Sequence, residues 1–107
     1  MRMNLISVCV TTLAALLSLP CKAEVIIDQV KEKFTLEAAT LKVGDNAIFK
    51  NSDPVKHNLT VMTPDEEAAD LGMEAPGATV KYRFEKAGIY DVRCSIHPRM
   101  KIKIKVE

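Results

Sequence analysis

Residues Lys101 to Val106 read KIKIKV and alternate lysine with aliphatic side chains without a break. Successive side chains of an extended strand point to opposite faces, so this run places every aliphatic group on one face and every lysine on the other. A helix would spread the same residues around its circumference. The run therefore predicts a half-buried β-strand. Its lysine row predicts an edge strand that is protected from self-pairing, with a role in solubility rather than in partner binding.

The same alternation recurs in shorter segments of the chain. His57–Met62, Thr79–Phe84 and Ile89–Cys94 each read as strands, and the turn signals VGDN, NSDP and EKAG separate strand segments from one another. Six or seven short strands joined by turns are typical of a sandwich of two sheets. The sequence therefore predicts an all-β fold, a small antiparallel Greek-key β-sandwich.

One segment between the strands has a different character. In Thr63–Gly72, Thr63 is a suitable cap, Pro64 suits the first helical position, and acidic residues fill the first turn. Glu66 stands three residues after Thr63, as in a capping box, and Gly72 is a stop signal. The segment predicts one short helix in an otherwise β-rich domain.

The first part of the chain has the pattern of a secretory signal peptide. Arg2 precedes an apolar run from Leu5 to Leu19, and Ala23 ends a short segment that suits cleavage. An uncleaved membrane anchor is one alternative, but a membrane-spanning helix needs about 20 apolar residues and this run is shorter. A lipoprotein signal ending at Cys21 is the other, although Pro20 stands where a small residue is wanted. The pattern predicts a signal peptide over residues 1–23, a single domain over residues 24–107, and a periplasmic location without membrane attachment after cleavage.

Charge and cysteine content narrow the functional classes. Removing Arg2 and Lys22 from the 15 basic residues leaves 13 against 14 acidic ones, a formal charge of −1 for residues 24–107. This balance argues against a nucleic-acid or anionic-membrane partner. Cys94 is the only cysteine of residues 24–107. Because exported proteins usually pair their cysteines, Cys94 is a reactive thiol, an intermolecular disulfide partner, a metal ligand or a buried apolar residue.

Cys94, His97 and Met100 stand at intervals of three residues, just before the last predicted strand, and His57, the only other histidine, begins a different strand. Each residue alone has an ordinary structural explanation. Together, two imidazoles, one thiol and one thioether form the ligand set of a blue-copper electron-transfer site, in which the thioether is a weak axial ligand. The combination favours a site with one copper ion per chain.

Two segments carry a resemblance to a known family. VGDNAIFKNSDPVKHNLTV resembles the turn, strand and loop that lead to the first copper-binding histidine of cupredoxins, and GIYDVRCSIHPRM resembles their second ligand segment. The Cys-x-x-His-x-x-Met spacing is similar to that of amicyanins. The resemblance implies that His57, Cys94 and His97 are equatorial copper ligands and that Met100 is the axial ligand. It also implies that Asn58 ties the two ligand segments together.

The resemblance further implies a function. A protein of this kind is not an enzyme but a monomeric periplasmic shuttle of single electrons between Cu(I) and Cu(II), with transient redox partners. In amicyanins the donor is an amine dehydrogenase and the acceptor a c-type cytochrome. His97 is the expected electron port. The expected docking residues are Ile96, Pro98, Pro54 and Met73 in an apolar patch, with Arg99 and the acids of Asp65–Asp70 as steering charges.

Three other functions stay open at this level. Met62, Met73 and Met100 would also suit a protein that binds and delivers copper rather than electrons. Cys94 and His97 would suit a thiol enzyme, although so small a domain offers little room for a substrate pocket. Zinc accepts the same nitrogen and sulfur donors, so a structural zinc site is the alternative at the level of the metal.

Overall fold

The computed structural model describes residues 5–7 and 23–107 as two five-stranded β-sheets. The strands are β1 (Leu5–Ser7), β2 (Ala23–Val30), β3 (Lys33–Phe34), β4 (Ala38–Leu41), β5 (Asn46–Asn51), β6 (His57–Met62), β7 (Ala68–Glu74), β8 (Thr79–Arg83), β9 (Gly88–Cys94) and β10 (Lys101–Val106). The first sheet has the order β1-β2-β5-β8, with β3 also paired to β2, and the second has the order β4-β10-β9-β6-β7. The predicted signal peptide lies mostly outside the described residues and stays a prediction.

The pairing pattern confirms the predicted all-β fold of two sheets. Most neighbouring strands run antiparallel, and β2–β5 and β4–β10 run parallel. Both parallel pairs bring an early strand beside one that comes later in the chain, with other strands between them in sequence. In the part of the chain that the structure describes, no helix is long and apolar enough to cross a membrane.

The position of β10 corrects the prediction of an edge strand. It pairs with β4 on one side and with β9 on the other, so both of its backbone edges are hydrogen-bonded. Ile102, Ile104 and Val106 are buried and the alternating lysines are exposed, as the period of two predicts. Because β10 lies inside the sheet, its lysines are not needed to protect an edge from self-pairing.

The predicted helix over Thr63–Gly72 is wrong. Thr63 does cap this segment, but only as a turn: its Oγ1 accepts a hydrogen bond from the Glu67 backbone N–H, and Glu66 has a positive φ of 61°. The chain then extends as β7 and pairs with β6. The capping signals describe a single turn. Pairing with the free edge of β6 satisfies more backbone groups than one helical turn would satisfy.

The core lies between the two sheets and is filled by the inward residues of each alternating strand. Phe84 packs edge-to-face against Tyr90, with ring centroids 4.9 Å apart. Fully burying one large apolar side chain stabilises a fold by about 1.5–3 kcal/mol. The largest fully buried apolar side chains are Phe49, Phe84, Ile27, Leu41, Leu59, Met100, Ile102, Ile104 and Val25.

A polar pair bridges the two sheets inside this core. Gln29 of β2 donates its Nε2–H to Oε1 of Glu74 in β7 at 2.6 Å, and both side chains are at most 1% exposed. Burial raises the pKa of Glu74 and the charge of Asp28 adds to the rise, although the hydrogen bond from Gln29 opposes it. Oε2 of Glu74 and the single side-chain oxygen of Gln29 have no hydrogen-bond partner among the described residues. A proton on Glu74 would supply the donor that this pair lacks.

Glu74→Gln is therefore expected to stabilise the protein near neutral pH, by about 1–2 kcal/mol. The unfolded chain releases the Glu74 proton near the ordinary pKa of 4.5, whereas the folded chain holds it to a higher pH. Ionisation thus destabilises the wild-type fold as pH rises above 4.5 toward the raised pKa. The variant removes this cost, so its advantage should disappear below that range. Urea unfolding of both proteins across pH measures this, and an advantage independent of pH would contradict it.

Candidate metal centre

Two strands of the second sheet and the loop after one of them converge on the predicted ligands. His57 is the first residue of β6 and Cys94 is the last residue of β9. These strands are neighbours, and Cys94 pairs with Leu59, two residues into β6. His57 is completely buried and Cys94 is 2% exposed. Sheet pairing therefore fixes both residues at the same end of the sandwich.

The loop between β9 and β10 is closed by its own backbone. The Cys94 N–H donates to the Met100 carbonyl at 3.1 Å, and the Met100 N–H donates to the His97 carbonyl at 2.9 Å. Pro98 has no N–H and limits the conformations of the loop further. Met100 is 1% exposed, while the side chain of His97 remains 23% exposed. The loop thus buries its thioether and leaves one imidazole at the surface.

Three of the four predicted ligands form one cluster. Nδ1 of His57 lies 3.1 Å from Nδ1 of His97. Sγ of Cys94 lies 3.7 Å from the first nitrogen and 3.6 Å from the second. All three donor atoms lie within 4.8 Å of one another. The backbone of the fourth predicted ligand, Met100, is linked to His97 of this cluster, because its N–H donates to the His97 carbonyl.

Each histidine presents its other ring nitrogen to a carboxylate. Nε2 of His57 lies 2.7 Å from Oδ2 of Asp53, and Nε2 of His97 lies 3.1 Å from Oε1 of Glu32. Since a carboxylate accepts hydrogen bonds, the ring proton of each neutral histidine belongs on Nε2. Both Nδ1 atoms then carry lone pairs and face each other beside a buried sulfur. This arrangement suits a cation bound between the three donors, and imidazole with thiolate suits copper.

The carboxylate of Asp53 is held by three hydrogen-bond contacts. It is 5% exposed and accepts the backbone N–H groups of Lys31 and Glu32 in addition to His57. Burial raises the pKa of Asp53, but hydrogen bonds from the Glu32 backbone, from His57 and from the Lys31 backbone together lower it below its ordinary value. Lys31 and Glu32 have positive φ angles of 54° and 58°. The carboxylate thus stabilises an unusual turn and orients His57 at once.

Asn58 ties the two ligand segments together through its backbone. Its N–H donates to Sγ of Cys94 at 3.4 Å, and its carbonyl accepts the Ser95 N–H at 2.8 Å. The side-chain Oδ1 is buried and has no hydrogen-bond partner among the described residues. A hydrogen bond to a thiolate stabilises its charge and is one of the contacts that tune a metal bound there.

Sequence reasoning predicted the donors but missed the carboxylates behind them. Asp53 lies four residues before His57, which is a detectable signal, although its segment read only as a turn. Glu32 lies in the turn between β2 and β3, so its contact with His97 depends on the packing of the two sheets. Ile96, Pro98, Pro54 and Met73 are all exposed, as a docking surface requires.

A β-sandwich with two histidines and one cysteine clustered at one end is the architecture of small copper-binding proteins. Residues 21–107 match the family described as copper binding proteins of the plastocyanin/azurin family. The chain belongs to this family, and copper is accordingly its cofactor.

Two curated relatives agree with this assignment. The methylamine utilization protein MauL of Methylorubrum extorquens is 34% identical over 65 residues, which are 61% of this chain and 57% of the relative. Amicyanin of Paracoccus denitrificans is 29% identical over 85 residues, which are 78% of this chain and 65% of the relative. The chain thus spans less than two thirds of the length of either relative.

Solved structures of amicyanin have the same fold. A reduced Cu(I) form of an amicyanin variant at pH 4 superposes with a TM-score of 0.71 at 30% identity. The match covers 77% of this chain and 80% of the amicyanin. An oxidised amicyanin variant gives a TM-score of 0.70 at 28% identity over the same shares of each chain.

Proposed function

We propose that this protein is a periplasmic one-electron carrier with a blue-copper site, and that it is not an enzyme. His57, Cys94 and His97 would hold one copper ion, with Met100 as the weak axial ligand. When bound there, copper would supply one-electron chemistry by changing between Cu(I) and Cu(II). The single observation that carries the proposal is the cluster of two Nδ1 atoms and one Sγ within 4.8 Å, in which His57 and Cys94 are buried and His97 is partly exposed.

The protein's own residues would keep this cluster rigid. His57 and Cys94 lie on paired strands, and Asp53 holds the His57 ring through Nε2. A rigid cluster changes little in geometry between two charge states, which favours fast exchange of an electron. His97 is the donor with the most exposed side chain described here and would be the electron port. Its neighbours Ile96 and Pro98 are exposed and would contact a partner in a small, transient interface.

The relatives suggest the class of partners. One of the relatives described above, MauL, is a methylamine utilization protein, and another is amicyanin. By analogy, an amine dehydrogenase would be the electron donor and a c-type cytochrome the acceptor. The signal pattern of residues 1–23 supports export to the periplasm. We expect the protein to act as a monomer.

Spectropotentiometry of the copper-loaded protein tests the proposal against copper delivery. An electron carrier should lose and regain its visible absorption reversibly, with a Nernst slope of one electron, and should retain copper against a chelator. Asp45→Ala is the control variant and should keep the wild-type redox behaviour, because it removes a buried carboxylate that accepts the Lys42 backbone N–H away from the cluster. Rapid transfer of copper to the chelator without reversible cycling would overturn the proposal in favour of copper delivery.

A further inference from the structure

A groove beside His97 collects an unusual share of the positive charge of the chain. It has a volume of about 1000 Å³ and is bounded by the β2–β3 turn on one side and by β9, β10 and their loop on the other. His97, Ile96 and Pro98 also line it. Three acids, Glu32, Glu37 and Asp91, are present as well. The six cations that define this basic groove are Lys31, Lys33, Arg93, Arg99, Lys101 and Lys103.

The cations of the basic groove are exposed, and none of them forms an ion pair with another described residue. Among residues 23–107, the lysines that form ion pairs are Lys81, Lys86 and Lys105, and all three lie outside the groove lining. Glu32, the acid of the groove nearest to the site, is bound to His97 rather than to a lysine. The positive charge of the groove is therefore not neutralised by ion pairs among the described residues.

Two of these cations lie directly opposite each other. Lys101 of β10 pairs with Arg93 of β9 in the antiparallel register. Like charges at opposed positions of two strands destabilise the pairing. Protection of a sheet edge does not explain them, since β10 is an inner strand. The next pair on this face, Lys103 with Asp91, joins opposite charges, so the unfavourable contact is confined to Lys101 and Arg93. Binding to a negative surface would offset it.

The net charge of the predicted mature chain is opposite in sign to the charge of the groove. Residues 24–107 carry a formal charge of −1, with 13 basic and 14 acidic residues. Whole-chain charge would therefore repel an anion weakly, whereas the groove would attract it. Local charge dominates at close range, because salt screens interactions beyond about 10 Å at moderate ionic strength. Added salt should slow the reaction with an anionic reactant if the groove charge dominates, and should speed it if the whole-chain charge dominates.

We propose that the basic groove docks an acidic surface of the redox partner and brings that partner's cofactor to His97. This inference rests on the proposed electron-carrier function and specifies the chemistry of the partner. The groove adjoins His97, so a protein bound there contacts the surface imidazole of the site. Glu32 covers Nε2 of His97 in the free protein and would repel an acidic partner. The cations of the groove outnumber its acids, so attraction of the partner would prevail.

Two double variants separate groove charge from total charge. Lys33→Glu/Lys103→Glu reverses two groove lysines, and Lys42→Glu/Lys50→Glu reverses two exposed lysines outside it. Both lower the net charge by the same amount, and none of the four positions is a predicted ligand. The reduced, copper-loaded protein is mixed with hexacyanoferrate(III), which takes one electron and becomes hexacyanoferrate(II). Tris(phenanthroline)cobalt(III) is the cationic comparison, and a c-type cytochrome of acidic surface is the protein acceptor.

The rate with hexacyanoferrate(III) and with the acidic cytochrome should fall as salt is added. At low ionic strength the groove variant should react about tenfold more slowly than wild type, and the control variant should change by less than about twofold. Equal losses in both variants would assign the effect to total charge and overturn the inference. Co-sedimentation with phosphatidylglycerol vesicles, lost only in the groove variant, would also overturn it by assigning the groove to a membrane surface.

A binding measurement separates this inference from the electron-carrier proposal. Hexacyanocobaltate(III) is redox-inert, and its titration into isotopically labelled protein should shift the backbone amide signals of Arg93, Arg99 and Lys101. Those shifts should vanish in the groove variant and persist in the control. Absence of saturable shifts in the groove would overturn the inference even if electron transfer proceeds. Groove shifts without electron transfer to any acceptor would instead count against the electron-carrier function alone.

Discussion

Cys94→Ser is expected to abolish the intense visible absorption of the copper-loaded protein. Sγ of Cys94 lies 3.7 Å from Nδ1 of His57 and 3.6 Å from Nδ1 of His97. An intense visible band arises from charge transfer between thiolate and copper, and a hydroxyl group provides no such transition. Because even residues behind a ligand change metal affinity by about 10–100-fold, loss of the thiolate itself should cost at least about 100-fold.

A titration with Cu(II), followed by absorption and by far-UV circular dichroism, measures this effect. Ser95→Ala is the matched control, since Ser95 is the adjacent residue and is exposed. The control should bind one copper per chain with the full band. A Cys94→Ser protein that is folded and retains the wild-type band would refute the assignment of the thiolate. A wild-type protein that binds copper without an intense band would also refute it.

Asp53→Ala is expected to lower the free energy of unfolding of the metal-free protein by about 3–5 kcal/mol. The substitution removes the acceptor for the Lys31 and Glu32 N–H groups and for the buried His57 ring. The two backbone groups lie in a turn with positive φ, which is otherwise unfavourable by about 1–2 kcal/mol per residue. Loss of the contact with His57 should also reduce copper affinity by about 10–100-fold.

Asp45→Ala separates the two effects of Asp53→Ala. Asp45 is also buried and, within the predicted mature domain, accepts the backbone N–H of Lys42, but it has no hydrogen bond to a predicted ligand among the described residues. Its removal should destabilise the fold and leave copper affinity within about threefold of wild type. Urea unfolding and competition with a copper chelator provide the two readouts. Equal copper affinities in the Asp53→Ala and wild-type proteins would contradict a positioning role for Asp53.

The predictions that succeeded from the sequence rest on local patterns. The lysine and isoleucine alternation in KIKIKV gives the burial of β10 residue by residue, because side chains of a strand alternate whatever its neighbours are. The spacing of Cys94, His97 and Met100 places them on one short loop, because three-residue intervals allow little separation along the chain. Both features are properties of segments shorter than ten residues.

The predictions that failed depended on which segments become neighbours. The capping signals after Thr63 produce a real turn, but pairing with β6 extends the rest of the segment into β7. The lysine row of β10 predicted an edge strand, but β10 lies between β4 and β9. Local signals describe what a segment can adopt, and strand pairing over long sequence distances decides what it does adopt.

The sequence by itself determined most of the strands and their inward faces and predicted the donor residues, because each follows from side-chain chemistry and short-range periodicity. Only the tertiary structure decided that Asp53 and Glu32 hold the two imidazoles, that Gln29 meets Glu74 across the core, and that a basic groove adjoins His97. These contacts join residues of different strands and turns, and apart from Asp53 with His57 their partners are far apart in the chain. They exist only after two sheets have packed, since burial of the shared apolar faces is what brings those residues together.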